Sequence, residues 1–297
     1  MKNKLLILAT SLLVLSLAPL SASAGDGVKD VQRQIAIDRV EHADMFSTIA
    51  ELRGEAIAMD AQKRGRYAMT GKMLESLGPD AHYALADDLL SDKHFREVRA
   101  SVRIGWRVGA LYALGRARNP EFRSIFTHVL NVEKEPEVLK AAARALGNLQ
   151  DDAAAKTLIG LASTDGAKAD AVLSGMGTCR RTVVASYLAS ELNKAKSPAR
   201  VLALTLTLRD VANSWAWKTP IVSKSGEGEE VRAIATKALV QAFMRIPQQE
   251  SELTKAILIV DSQRANTLIA SARKGASEAT QKRLDALAIR VGKNPLH

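Results

Sequence analysis

Apolar residues recur three and four positions apart in successive stretches of this chain, and glycine, proline or asparagine punctuates the gaps between them. That spacing sets apolar side chains on one face of a helix and predicts helices almost from end to end. Arg66 to Leu77 and Pro79 to Leu90 form a first pair, with Gly78 as a stop and Pro79-Asp80 as the next start. Arg96 to Gly115 is strongly patterned, and Asn119-Pro120 turns the chain into a helix from about Glu121 to Val132. Glu137–Leu149 pairs with Ala153–Ala162, Ala169–Cys179 with Thr182–Leu192, and Arg200–Ala212 opens a fifth pair. A helix from Glu230 and three closing helices, Glu252–Ile259, Ser262–Ala272 and Glu278–Val291, complete the prediction.

The helical phrases repeat. EVLKAAARALGNL at 137–149 returns as EVRAIATKALVQA at 230–242, and Leu77-Gly78, Leu114-Gly115 and Leu208-Arg209 fall near one phase. Units of about 31–37 residues follow, which predicts an all-α, right-handed α-solenoid of stacked helical hairpins over residues 65–292. An insertion at about 212–229 interrupts the spacing before the Glu230 helix resumes the pattern, and 293–297 is a short tail. Residues 25–64 read as one long or two stacked amphipathic helices bearing Val28, Val31, Ile35, Met45, Ile49, Leu52, Ala56 and Met59. Asp38 and His42 interrupt that stripe. A cap over the first repeat and a dimerisation helix are the two readings of it.

SDKHFREVRASV at 91–102 and EVRAIATKAL at 230–239 resemble HEAT repeats, including the subgroup of HEAT-like lyase repeats, and the resemblance spans roughly Gly65 to Gly292. It implies that the Val-Arg helix is second in each pair and lines the concave surface, with an Asp of the preceding turn laddered to the Arg. Asp92 with Arg99 matches that arrangement. Leu139 and Asn131 replace the two partners in the next unit, and Arg232 has no clear upstream Asp, so the expected ladder is partial. The resemblance implies a scaffold, or by analogy a lyase-type enzyme, and is nearly silent on activity.

The first 24 residues change the picture of where the chain acts. Lys2 and Lys4 precede an apolar run from Leu5 to Leu20 and the small-residue exit Ala22-Ser23-Ala24. This is the pattern of a bacterial Sec-type signal peptide cleaved after Ala24, which predicts a periplasmic or secreted protein that does not span the membrane once cleaved. The single Cys179 can make no disulfide within the chain, and it reads either as a small half-buried helix residue or as a thiol activated by Arg180 and Arg181. Hydrophobic residues make up 47% of the chain but aromatics only 4%, leaving Ala, Leu and Val to fill closely packed helices. The formal charge of +10 becomes +8 without Lys2 and Lys4, which favours acidic partners. Export argues against nucleic acid as that partner.

Two constellations stand out. In FREVRASVRIGWRVGAL, Arg96, Arg99, Arg103 and Arg107 fall within roughly 80° of one another on a helix, opposite Val98, Val102, Gly105, Gly109 and Tyr112. With Trp106 they form a candidate contact surface, either a groove for a carboxylate- or phosphate-rich ligand or a solvated face paired to nearby acids. In the insertion, Trp215 and Trp217 lie two apart and precede Lys218; on an extended segment both rings would share one side, and otherwise they anchor the loop. Residues 168–224 carry nine basic side chains against three acids. No metal-binding spacing, cofactor loop or nucleophile motif is present, so no catalytic, cofactor or metal residue is assigned. The expected function is a non-catalytic scaffold for an acidic protein. An envelope module for an anionic polymer or lipid head groups is the alternative, and a lyase-type enzyme the second.

Overall fold

A computed structural model describes residues 21–62, 70–91 and 93–295. The apolar core of the signal segment, the start of the first predicted hairpin at 65–69, Asp92 and the last two residues of the tail lie outside the described residues. Sixteen helices are described: α1 (Ser21–Glu41), α2 (Ala43–Gln62), α3 (Gly71–Ser76), α4 (His82–Leu90), α5 (Ala100–Ala117), α6 (Arg123–Val132), α7 (Pro136–Gly147) and α8 (Asp152–Ala162). They continue as α9 (Ala167–Gly175), α10 (Thr182–Lys194), α11 (Pro198–Val211), α12 (Pro220–Ser223), α13 (Gly228–Arg245), α14 (Glu250–Val260), α15 (Ala265–Arg273) and α16 (Glu278–Gly292). No strand occurs among the described residues.

The helices stack in two rows. One row runs α3, α5, α7, α9, α11, α14, α16, and the other α4, α6, α8, α10, α13, α15; across the rows α4 packs on α5, α6 on α7, α8 on α9, α10 on α11, α13 on α14 and α15 on α16, and most helices pack on their row neighbours. The chain is therefore an α-solenoid. Local chemistry sets the hairpin ends: Pro starts α7, α11 and α12, the Asp151 side chain accepts from the Ala154 N–H, and the Ser197 side chain accepts from the Arg200 N–H. Small residues let the rows close. A Cβ on Gly175 would strike the carbonyl oxygen of Lys140 and lie 2.7 Å from Ala143 Cβ, so α9 approaches α7 nearly backbone to backbone. Gly109 plays the same part beside Thr70 at the start of α3.

Two expectations change. The two copies of the repeated phrase occupy opposite rows, because four row helices, α8 to α11, alternate between them: α7 packs between α5 and α9, whereas α13 packs between α10 and α15. The phrase marks a tightly packed, small-residue helix face rather than a place within the hairpin. The Arg96 helix begins only at Ala100, since Phe95 turns inward against Trp106 at 6.5 Å between ring centroids and Arg99 stays extended as the cap residue. Residues 21–62 fold as two helices that meet at His42, with α1 lying across α4 and α6 and α2 against α4 and α5. Val31, Ile35, Ile49 and Ala56 are buried in the common core.

Candidate functional site

The four arginines do not form one stripe. Arg96 and Arg99 precede α5 and are exposed, Arg103 is part-buried, and Arg107 is 3% exposed. Arg107 Nε lies 3.1 Å from Glu133, and Arg103 reaches both Glu133 at 3.8 Å and Glu135 at 3.2 Å. Both acids come from the turn between α6 and α7, which the sequence reading passed over. Burial works against the charge on Glu133, yet the N–H groups of Lys134 and Glu135 and the two guanidinium groups hold its carboxyl below the ordinary range. Inner and outer arginines thus have different work: Arg103 and Arg107 clamp α5 to the next repeat, and only Arg96 and Arg99 meet solvent.

Trp106 belongs to that interior too. It is 1% exposed, and its indole N–H donates to Asp88 at 2.9 Å. Asp88 also accepts from Arg53 of α2, and its neighbour Asp87 pairs with Arg39 of α1 at 2.6 Å and with Lys93 at 3.6 Å. Burial pushes the Asp88 carboxyl up to about 6, against the pull of Arg53 and Trp106. Arg39, Arg53, Asp87 and Asp88 line a cleft of about 230 Å³ with Phe46, Ile49 and His94. Asp87, Asp88 and His94 bring ligand atoms within 4.8 Å of one another. Because both carboxylates already neutralise guanidinium or ammonium groups, the chemistry of the cleft is a charge latch joining the N-terminal helices to α4.

The two tryptophans of the insertion part company. The segment is helical rather than extended, with a 3₁₀ turn at Ala216–Lys218 followed by α12, so the rings do not share a side. Trp217 is buried, donates to the Val211 carbonyl at 3.0 Å and stacks against the backbone of Gly228, tying the end of α11 to the start of α13. Trp215 is 59% exposed, with Lys218 Nζ 4.4 Å over its ring, and Ile221 stands exposed on α12. The Ser214 N–H bonds the Ile259 carbonyl, so this surface sits on a fixed support.

Cys179 is fully buried in the turn after α9, and burial pushes its thiol up to about 12 despite Arg181 and Arg180. It is a packed side chain, more enclosed than the half-buried residue expected and unlike an activated nucleophile.

A family model described as HEAT repeats matches residues 106–174, the span from within α5 to near the end of α9. That match covers under a quarter of the chain and, with the two-row helical stack, supports a HEAT-like repeat α-solenoid. Repeats of this family typically serve as protein-interaction scaffolds. No curated protein matches the chain. Among the described residues, no helix is long and apolar enough to cross a membrane.

Proposed function

We propose that this protein is an exported, non-catalytic scaffold that binds an acidic protein through the insertion surface of Trp215, Lys218 and Ile221, with Arg96 and Arg99 as a second basic contact. The exposed Trp215 ring, capped by Lys218 on a loop that Trp217 and Ser214 pin down, carries this reading. A large rigid aromatic supplies contact area at small entropic cost, and such residues dominate binding energy at interfaces. Among the described residues Lys218, which lies over the Trp215 ring, and Lys224 pair with no acid, which suits a negatively charged partner. The enclosed Cys179 and the mutually neutralised acids around Asp88 and Glu133 speak for binding rather than catalysis.

The test is affinity capture from envelope extract with native bait, a Trp215→Ala/Lys218→Glu bait and an Arg96→Glu/Arg99→Glu bait. A protein retained by the native bait and lost with the insertion variant is the expected result. Equal retention by all three would refute the surface. Retention of polymer or lipid alone, released by moderate salt, would move the reading to an anionic-polymer module. Export has its own check: the mass of the chain purified from expressing bacteria is expected to correspond to a start at Gly25.

A further inference from the structure

Asp38 and His42 interrupt the apolar stripe of the N-terminal helices, and the bend between α1 and α2 brings them together with Glu41. The three residues stand at positions i, i+4 and i+3 of one helical turn, a spacing that puts them on one side of it. The His42 N–H donates to the Asp38 carbonyl at 2.7 Å, so the turn is kept where α1 gives way to α2. One carboxylate oxygen of Asp38, one of Glu41 and a ring nitrogen of His42 all lie within 4.8 Å of one another.

Asp38 is 7% exposed, His42 is half-buried and Glu41 is exposed, so the cluster is open to solvent on the Glu41 side. The buried carboxylate has no cation among the described residues. The Gln34 amide donates to its Oδ1 from 3.4 Å, and Oδ2 accepts no hydrogen bond there. Arg39, the nearest cation in sequence, turns away to Asp87 at 2.6 Å and lies over the Phe46 ring. The Tyr83 phenol of α4, which feels the Asp38 charge, donates to Glu121 at 3.0 Å instead. His42 makes no ion pair with either carboxylate, and Glu41 has no partner among the described residues.

A carboxylate taken out of water is costly unless a counter-charge meets it. The contrast with the cleft at Asp87 and Asp88 separates the two His-carboxylate clusters of this region. In the cleft Arg39, Arg53 and Lys93 already neutralise both acids, and a further cation would be repelled. At the α1–α2 bend the oxygens and the ring nitrogen are close but unjoined. Ligand atoms bound at 2.0–2.2 Å to one ion lie roughly 3–4 Å apart, a spacing that a small swing of the exposed Glu41 side chain completes. One imidazole with two carboxylates suits a transition-metal ion, whereas magnesium and calcium take oxygen ligands alone.

We propose that Asp38, Glu41 and His42 form a binding site for a divalent transition-metal ion of the zinc class, which neutralises Asp38 and fixes the bend between α1 and α2. The site uses none of the residues of the partner surface and stands or falls independently of it.

The test is titration of the untagged protein, freed of metal by chelation, with zinc in a calorimeter and with cobalt(II) followed by its visible absorption. Saturable binding of one ion per chain is the expected result, weakened roughly tenfold or more in His42→Ala and in Glu41→Gln and unchanged in His94→Ala. Saturating zinc should also raise the unfolding temperature of the native protein and leave that of His42→Ala unmoved. Glu41→Gln, at an exposed position, should unfold like the native protein in metal-free buffer, so its weaker binding reads the loss of a ligand and not of structure. Absence of saturable binding to the native protein, or binding equal to the native in both His42→Ala and Glu41→Gln, would overturn the proposal. So would binding lost in His94→Ala alone, because it would place the ion in the Asp87 cleft.

Discussion

Among individual residues, burial decides which charges hold the fold and which remain for binding. The Arg107 and Glu133 side chains are both nearly inaccessible, so removing Arg107 leaves the buried Glu133 carboxylate with only the more distant Arg103 as a counter-charge. Arg107→Ala is expected to lower stability by about 3–5 kcal/mol in urea unfolding, whereas Arg96→Ala, at an exposed position, should change it by about 0.5 kcal/mol or less. Asp88 makes a pH prediction. Its folded-state carboxyl titrates at about 6 against an ordinary 3.8, so its contribution is fully present below about pH 4 and declines as pH rises through about 6. The difference is on the order of 3 kcal/mol. Arg53, Arg39, Lys93, Asp87, His94 and Arg107 surround the group, and the native protein minus Asp88→Asn should show that decline between pH 4 and 6. The Cys179 thiol, held at about 12, should resist alkylation at pH 8 until the protein unfolds; rapid labelling of the native protein would contradict its burial.

For the helices, glycine placement sets how closely the rows approach. Gly175→Ala drives a methyl into the Lys140 carbonyl and should cost about 1–3 kcal/mol. Gly160, in the last turn of α8 with nothing within 4 Å of a Cβ, is the matched control, and Gly160→Ala should stabilise by up to about 0.5–1 kcal/mol; thermal unfolding of the pair checks both. Trp217 and Trp215 separate in the same way, since Trp217→Ala should cost about 3–5 kcal/mol and Trp215→Ala little. Much of this level was legible in the sequence, because hairpin boundaries follow from periodicity, Pro starts and Gly stops that act locally. The arginine stripe was not. Helical spacing predicted one face for Arg96 to Arg107, but Phe95 packs inward on Trp106 and delays α5 to Ala100, a tertiary contact that spacing does not encode. Nor does spacing show that Glu133 would come to meet Arg107. The Trp pair failed for a related reason: a turn of 3₁₀ helix replaces the extended conformation that would have set both rings on one side.

At the scale of the whole molecule, the two rows, the helix pair α1 and α2 packed on them, and the insertion between α11 and α13 place distinct surfaces on one frame. The repeated phrase led directly to the stack, yet could not reveal that its two copies lie in opposite rows, since row membership depends on how many helices lie between them. The HEAT-repeat match covers α5 to α9, and the helical stacking continues through α16. The central claim is that binding falls on the insertion of this frame. Hydrogen exchange of the mature protein, alone and with its captured partner, measures it most directly. Protection concentrated at residues 213–224, with a weaker effect at 93–99, is the predicted result; protection elsewhere with 213–224 unchanged would contradict the account.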